Sequence, residues 1–201
     1  MRNGLTQPQC ETEVVLQIVA GSDTTGNVIK TSLVYLTTHP VVYKTLQAEI
    51  DAAVRERRIS SPVITNAEAK TLPYLQACIF ELLRIHPPNF VLLTKVVPPG
   101  GDTLQGCRVP GGTRIAENMW GVLRHEPTFG ADADVFRPER WLEAEAEPGR
   151  RARMERVCEL VFGHGRFMCA GKVLSFMELN KIFVEVCALF VFLLRADRVS
   201  E

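Results

Sequence analysis

The chain has 201 residues, of which 46% are hydrophobic and 23% charged, values typical of a globular protein and too apolar for a disordered one. Its 23 basic and 23 acidic residues cancel, which excludes the strongly basic field of a nucleic-acid-binding domain. The six cysteines include no CxxC pair, which indicates a reduced compartment and no disulfide framework. The N-terminus has no signal-peptide core, and the longest apolar run, 182–194, is too short to cross a bilayer.

Helical periodicity dominates the first 85 residues. Thr6 and Gln9 match a capping box, and the pattern predicts a first helix from there to about Thr38. At 1.5 Å per residue, such a helix is about 45 Å long, so we expect it to cross the whole molecule. A second helix is predicted over Val41–Arg58 and a third over Leu72–Ile85, both with apolar residues at i, i+4 spacing.

The second half of the chain has a different character. Runs of β-branched residues broken by turns predict short strands and hairpins over Phe90–Ile115. Three prolines in Glu126–Arg156 predict a loop there, and the mixed charges of this stretch predict a solvated surface. A last helix is predicted over Ala170–Leu194. The fold class is therefore mainly α with small β hairpins.

The segment FGHGRFMCAG, Phe162 to Gly171, carries the clearest chemistry. Gly163 and Gly165 predict a turn that lets the backbone approach another group closely. Cys169 precedes a predicted helix, where N–H groups and the helix dipole favour a thiolate. A thiolate held this way suits a soft metal, and heme iron can take a single axial cysteine. The alternative to a metal ligand is that Cys169 is a buried structural cysteine. Zinc is disfavoured because the neighbouring Cys and His are irregularly spaced and a fourth ligand is not evident.

A polar segment, AGSDTTGN, interrupts the first predicted helix. The residues of 22–27 are weak helix formers, and the Thr24 hydroxyl can bond back to the carbonyl of Ala20 and loosen the helix. The opened groove would hold this hydroxyl beside the Asp23 carboxyl, an arrangement that can relay protons to a ligand. The alternative is a simple kink or a close helix crossing.

Two further motifs carry charge in apolar surroundings. In ELLR, the i, i+3 spacing places Glu81 and Arg84 on one helix face. Most such pairs are weak surface pairs, but this one lies late in an apolar helix, so we expect it to be buried with further partners. FRPERW offers another arginine, Arg140, in a proline-stiffened turn.

The order and spacing of these motifs resemble the C-terminal half of a cytochrome P450, a heme-thiolate monooxygenase, over nearly the whole chain. AGSDTT resembles the oxygen-binding helix of that family, ELLR its ExxR motif, and FGHGRFMCAG its heme-binding cysteine signature. FRPERW resembles its PERF-type motif, with Trp141 in place of Phe. GLTQ and CAGK are similar to filamentous-fungal members. The resemblance implies one partial domain over 1–201, an incomplete cytochrome P450 fold.

The resemblance also implies a role for each matching residue. Cys169 would be the axial thiolate of heme b. Asp23 and Thr24 would form the acid–alcohol pair that delivers protons to the oxygen-binding side. Glu81, Arg84 and Arg140 would form a structural triad that supports the cysteine loop. Further heme-contacting positions would be Ala20, Gly21, Lys95, Phe162, Gly163, Arg166 and Gly171.

One position departs from the family pattern. The family usually has Arg or His two residues before the cysteine, in contact with a heme propionate, and this chain has Phe167 there. The nearest arginine is Arg166, one residue earlier. Either Arg166 reaches a propionate from a shifted loop, or that contact is lost. The resemblance also places a propionate-binding cation at Lys95, which would compensate.

The implied reaction is insertion of one oxygen atom of O2 into a lipophilic organic substrate. Electrons would come from an NADPH-dependent reductase or cytochrome b5, docked near Arg166 and Lys172. The substrate would face 88–93 and the groove near Ala20. Family members usually carry an N-terminal helix that anchors them to the endoplasmic reticulum membrane, and we expect this chain to lack it.

The alternative is a truncated, non-catalytic remnant with weak or no heme binding, because family members are more than twice this length. An apolar stripe on the first helix would then face water. Its members would be Val15, Ile18, Val19 and Val28.

Overall fold

The computed structural model describes residues 4–88 and 94–196, with side-chain surroundings up to residue 187. The helices are α1 (Gln7–Thr38), α2 (Pro40–Arg55), α3 (Asn66–Ala69), α4 (Pro73–Ile85), α5 (Met119–Val122), α6 (Glu126–Phe129), α7 (Glu139–Glu143), α8 (Arg150–Cys158) and α9 (Lys172–Ala196). The strands are β1 (Lys95–Val96), β2 (Asp102–Leu104), β3 (Cys107–Val109) and β4 (Arg114–Ile115). The predicted fold class, mainly α with small β hairpins, is confirmed.

The predicted long first helix is confirmed as α1, which runs without a break through the polar segment 22–27. At its start, the Gln9 side chain accepts a hydrogen bond from the backbone N–H of Thr6, with N···Oε1 2.8 Å. The second helix ends three residues earlier than predicted, at Arg55, because the chain turns into the left-handed region at Arg57 (φ 55°). Periodicity thus located these helices, whereas their ends depend on local backbone conformation.

Helix α4 lies at the centre of the fold, in contact with α1, α2, α7, α8 and α9. Nearly all of its side chains are buried, among them Leu75, Ile79 and Leu82. The Glu49 carboxylate on α2 caps its start by accepting hydrogen bonds from the backbone N–H groups of Tyr74 and Leu75, both at 2.9 Å. This central position brings the Glu81 end of α4 against the segment that leads into α7.

Two small antiparallel sheets lie between α4 and α5 in chain order. β1 pairs with β4, with Lys95 opposite Ile115, and β2 pairs with β3 in a hairpin, with Asp102 opposite Val109. The predicted hairpins are therefore confirmed from residue 94 onward. The remainder of the predicted substrate-facing segment, 89–93, lies outside the described residues.

The loop prediction for Glu126–Arg156 is wrong, because α6, α7 and most of α8 lie within it. Its prolines begin helices instead of breaking them. Pro127 lies in the first turn of α6 and Pro138 caps α7, positions where a missing N–H leaves no hydrogen bond unmade. Pro148 precedes Gly149, whose left-handed φ of 76° starts α8. The mixed charges of this stretch form ion pairs at the surface, such as Arg150 with Glu147.

The first half of α1 presents an apolar face to solvent. This face consists of five side chains that are each 55–61% exposed: Val14, Val15, Leu16, Ile18 and Val19. Val28, which the sequence assigned to the same exposed stripe, is only 5% exposed, because this part of α1 packs against α4 and α9. Among the described residues, no helix combines the length and the apolar character that crossing a membrane requires.

We expect the 201-residue chain to self-associate at micromolar concentration, because contiguous exposed apolar surface drives association. Replacing Val15 by Glu and Val19 by Lys, one turn apart, should raise the monomer fraction measured by sedimentation velocity. Val54→Glu on α2, at a residue that is also 55% exposed, serves as the control and should leave association unchanged. Equal monomer fractions in all three proteins would contradict the assignment to α1.

Candidate functional site

The structure brings Glu81, Arg84 and Arg140 together in a buried ion network. Glu81 is fully buried, and its carboxylate accepts five hydrogen bonds, three at Oε1 and two at Oε2. Oε1 accepts from Arg84 Nη2 (2.8 Å), Arg140 Nε (3.0 Å) and the backbone N–H of Arg137 (2.8 Å). Oε2 accepts from Arg84 Nε (2.9 Å) and the indole Nε1 of Trp141 (2.8 Å). No lone pair of this carboxylate depends on water.

The remaining donors of the two arginines bind the segment 123–135, which runs from the end of α5 through α6 toward α7. Arg84 donates to the carbonyls of Leu123, Ala133 and Val135, and Arg140 donates to those of Phe129, Asp132 and Val135. Arg140 Nη1 also donates to the Asp132 carboxylate at 2.7 Å. Partial burial alone would raise the pKa of Asp132, but hydrogen bonds from Arg140 and Arg137 lower it to about 2. Arg84 and Arg140 therefore share the Glu81 carboxylate, and Arg140 and Arg137 share that of Asp132.

Sequence reasoning missed Trp141 and Asp132 as members of this network. The only sequence signal for Trp141 is that a buried indole N–H needs an acceptor. Asp132 lies eight residues before its partner Arg140, and no local sequence pattern links the two. The backbone carbonyls that bind the arginines carry no sequence signal. The network fixes the 129–141 segment to the end of α4, which fits a structural function for its three predicted members.

The cysteine loop folds through a glycine turn and a short hydrogen bond. The backbone N–H of Cys169 donates to the carbonyl of Phe162 at 2.7 Å, which closes the loop. Gly163 has φ 75° and ψ −175°, a conformation essentially confined to glycine. At Gly171, an added Cβ would lie 3.7 Å from the Cys169 sulfur, so glycine keeps the surroundings of the thiol open. The Cys169 side chain is exposed, three residues before α9 begins.

Four of the other five cysteines are poorer ligands, and the fifth, Cys10, lies on the first turn of α1 and not in a glycine-rich loop. Cys78, Cys158 and Cys187 are buried, and burial raises the pKa of each thiol, that of Cys187 to about 12. The Cys158 thiol also donates to the carbonyl of Phe80 at 3.4 Å. These three groups stay protonated at neutral pH, and a metal ligand must be a thiolate. Cys107 is exposed on β3, outside any glycine-rich loop before a helix.

The surroundings of Cys169 fit a porphyrin. Four large apolar side chains near it in sequence are exposed: Phe167 (79%), Met168 (49%), Val173 (80%) and Leu174 (53%). A soft thiolate donor within an apolar, solvent-facing surface matches the axial ligand and the apolar faces of heme. These residues and Gly171 would hold the group from the cysteine side.

Among the described residues, neither of the predicted propionate partners, Arg166 and Lys95, forms an ion pair with a carboxylate. Arg166 is exposed, and its guanidinium carbon lies 5.6 Å from the centroid of the Phe167 ring. Lys95 is exposed on β1. Lys172, predicted to face an acidic partner, instead pairs with Glu159, with Nζ···Oε2 2.8 Å. Arg166 and Lys95 therefore keep their charge available for an anionic group, whereas that of Lys172 is partly neutralised.

The predicted proton-relay residues lie side by side on α1. Thr24 is half-buried, and its hydroxyl donates to the carbonyl of Ala20 at 2.8 Å, as predicted. The helix stays intact there, so the predicted opening of α1 is wrong: a carbonyl can accept both bonds without breaking the helix. Asp23, Ala20 and Gly21 are exposed. In the described residues, no hydrogen bond joins this segment to the cysteine loop.

A separate groove of about 480 Å³ lies between α5, α6 and α8. Asn118, His125 and Leu160 are among the residues that line it. None of the predicted site residues lines this groove, so it does not contain the chemistry that the sequence indicates.

We expect Gly163→Ala to lower heme affinity about tenfold, because strain of about 1–3 kcal/mol at this backbone conformation distorts the cysteine loop. Space does not limit the substitution, since the new Cβ would meet its nearest atom at 3.5 Å. Gly100→Ala is the matched control, in open space and without a positive φ. Heme titration should separate the two variants, and equal affinities would show that the Gly163 conformation is dispensable.

Comparisons with known proteins agree with this geometry. A family model described as Cytochrome P450 matches residues 1–199. The chain is 51% identical over 192 residues to Cytochrome P450 monooxygenase ABA1 of Pyricularia oryzae, covering 96% of this chain and 37% of that protein. It is 38% identical over 182 residues to Pisatin demethylase of Fusarium vanettenii, covering 90% of this chain and 33% of that protein. The chain thus spans about a third of the length of these fungal relatives.

A solved structure supports the same assignment. The fold matches a zebra fish cytochrome P450 that was determined with abiraterone, with a TM-score of 0.73 and 26% sequence identity. The match covers 91% of this chain and 40% of that structure. The described architecture therefore corresponds to a part of that fold.

Proposed function

Because this chain belongs to the cytochrome P450 family, we propose that it forms the C-terminal part of a monooxygenase that inserts one oxygen atom of O2 into a lipophilic organic substrate. The observation that carries the proposal is the exposed Cys169 thiol, in a glycine turn, among exposed apolar side chains. Heme, when bound, supplies the O2 and one-electron chemistry that amino-acid side chains lack.

The chain's own residues would bind and orient this cofactor. Cys169 would ligate the iron as a thiolate, held by the hydrogen bond from its backbone N–H to Phe162. Arg166 and Lys95, both exposed, would neutralise the propionates. The short side chains of Ala20 and Gly21 would leave room above the porphyrin on the α1 side.

Proton delivery would rest on Asp23 and Thr24. The Thr24 hydroxyl donates a hydrogen bond to the carbonyl of Ala20, and this bond fixes the position of the hydroxyl oxygen. The hydroxyl would turn from this carbonyl and donate its proton to the O2-derived oxygen that leaves as water. The exposed Asp23 carboxyl would then take up a proton from water and pass it to the Thr24 oxygen. General acid–base groups of this kind contribute about 10²–10⁴-fold to a reaction rate.

Electrons would come from an NADPH-dependent reductase or cytochrome b5. The uncompensated charge of Arg166, three residues before Cys169, favours an acidic partner at this face. Lys172 would contribute less, because Glu159 already pairs with it.

The proposal is tested in a full-length protein in which this chain replaces the matching part of its Pyricularia oryzae relative. With a reductase, NADPH and a panel of lipophilic compounds, ¹⁸O2 should place one labelled atom in the product and one in water. Purified protein should contain one heme per chain. Absence of bound heme in this full-length context would favour the alternative, a non-catalytic remnant.

A further inference from the structure

Four aromatic rings connect the buried ion network to the cysteine loop. Trp141 on α7 lies 5.1 Å from Phe80 on α4, measured between ring centroids. Phe80 lies 5.6 Å from Phe176 on α9, and Phe176 lies 5.4 Å from Phe162, which begins the cysteine loop. All three distances fall within the range in which aromatic pairs attract each other. We call Trp141, Phe80, Phe176 and Phe162 the aromatic chain.

Both ends of the aromatic chain are fixed by hydrogen bonds. At one end, the Trp141 indole donates to the buried Glu81 carboxylate at 2.8 Å. At the other, the Phe162 carbonyl accepts the backbone N–H of Cys169 at 2.7 Å. The buried Cys158 thiol donates to the carbonyl of Phe80, which holds the middle of the chain. The rings therefore form a continuous packed path from Glu81 to the residue that carries the thiol.

Phe176 is the ring that joins the two halves of this path. Its neighbours Phe80 and Phe162 belong to α4 and to the loop, and Phe176 contacts both of them from α9. If its ring is removed, Phe162 loses an aromatic partner and its carbonyl becomes free to rotate. The hydrogen bond that closes the cysteine loop would then open more often.

We propose that Phe176 is a positioning residue for Cys169: it transmits the rigidity of the Glu81 network to the cysteine loop through Phe162. The functional meaning of this role, a fixed thiolate ligand, rests on the proposed function. The contact itself does not, since it concerns only side chains and one backbone hydrogen bond of this chain.

The first test measures hydrogen exchange at the Cys169 amide in the heme-free chain at submicromolar concentration. Phe176→Leu, which keeps an apolar side chain but loses the ring, should speed this exchange about tenfold, because Phe162 loses its aromatic partner. Phe176→Tyr keeps the ring and should restore slow exchange. The matched control is Phe183→Leu, at a buried ring on the same helix as Phe176, which lines a pocket with Leu33 and Leu36 of α1.

The Phe183→Leu control should lower global stability yet leave Cys169 exchange unchanged. The proposal is overturned if Phe176→Leu leaves exchange at Cys169 unchanged, or if both leucine variants speed it equally. A second readout uses heme added to the same proteins: Phe176→Leu should convert part of the carbon-monoxide-bound, reduced form from the thiolate-type Soret band to that of a neutral ligand. If Cys169→Ser kept the thiolate-type band, the proposed function would fail, while the exchange result would still decide the role of Phe176.

Discussion

Glu81→Gln is expected to lower the free energy of unfolding by about 3–5 kcal/mol, because it removes the charge that two buried guanidinium groups share. The carboxylate accepts all five hydrogen bonds that reach it, whereas an amide offers one oxygen and turns its NH2 toward donors. Arg140 would then keep the Asp132 carboxylate as a partner. Arg84, whose carboxylate partner is Glu81, would keep backbone carbonyls as its other acceptors. A loss of this size is a large part of the 5–15 kcal/mol that stabilises a typical domain.

The measurement is urea unfolding at neutral pH, with heme content as a second readout. Glu147→Gln is the matched control, because Glu147 also pairs with an arginine but its side chain is 61% exposed. An exposed pair contributes less than about 1 kcal/mol, so this variant should unfold close to the parent chain. A soluble, heme-replete Glu81→Gln variant with an unchanged midpoint would contradict the importance of the network.

Thr24→Ala is expected to lower product formation about 100-fold in the full-length protein, because it removes the hydroxyl proposed to deliver protons. NADPH consumption should continue, with the reducing equivalents released as hydrogen peroxide. Heme content should not change, since Thr24 bonds only to the carbonyl of its own helix.

Thr24→Ser keeps a hydroxyl at the same position and is the control. It should retain most of the coupling between NADPH consumption and product, measured by comparing NADPH loss, peroxide and product in one assay. Unchanged coupling in Thr24→Ala would remove Thr24 from proton delivery.

Sequence periodicity predicted the elements whose stability comes from a repeating apolar face. α1, α2, α4 and α9 were found within a few residues of their ends, because each buries a stripe at helical spacing. α6 and α7 were missed because they are short and their prolines stand at positions that begin a helix. α8 was missed because it is short and its sequence is mostly charged. The spacing of ELLR predicted that Glu81 and Arg84 share a helix face, since i, i+3 neighbours depend on one helix alone.

The long-range parts of the site could not be read in the same way. Family resemblance placed Arg140 in the triad, and only the structure identified Asp132 as its partner. Both contacts depend on how a loop folds back onto α4. Val28 was placed on the exposed stripe of α1 because periodicity identifies an apolar face but not its partner. The aromatic chain was also invisible to sequence patterns, since its rings come from four separate segments.

The most direct test of this account is the Soret band of the reduced, carbon-monoxide-bound full-length protein, compared among three cysteine variants. Cys169→Ser should lose the red-shifted band of thiolate ligation. Cys158→Ser, at a buried thiol whose pKa burial raises, and Cys107→Ser, at an exposed thiol on β3, should both keep it. Retention of the band in Cys169→Ser, together with its loss in either control variant, would contradict the assignment of Cys169 as the iron ligand.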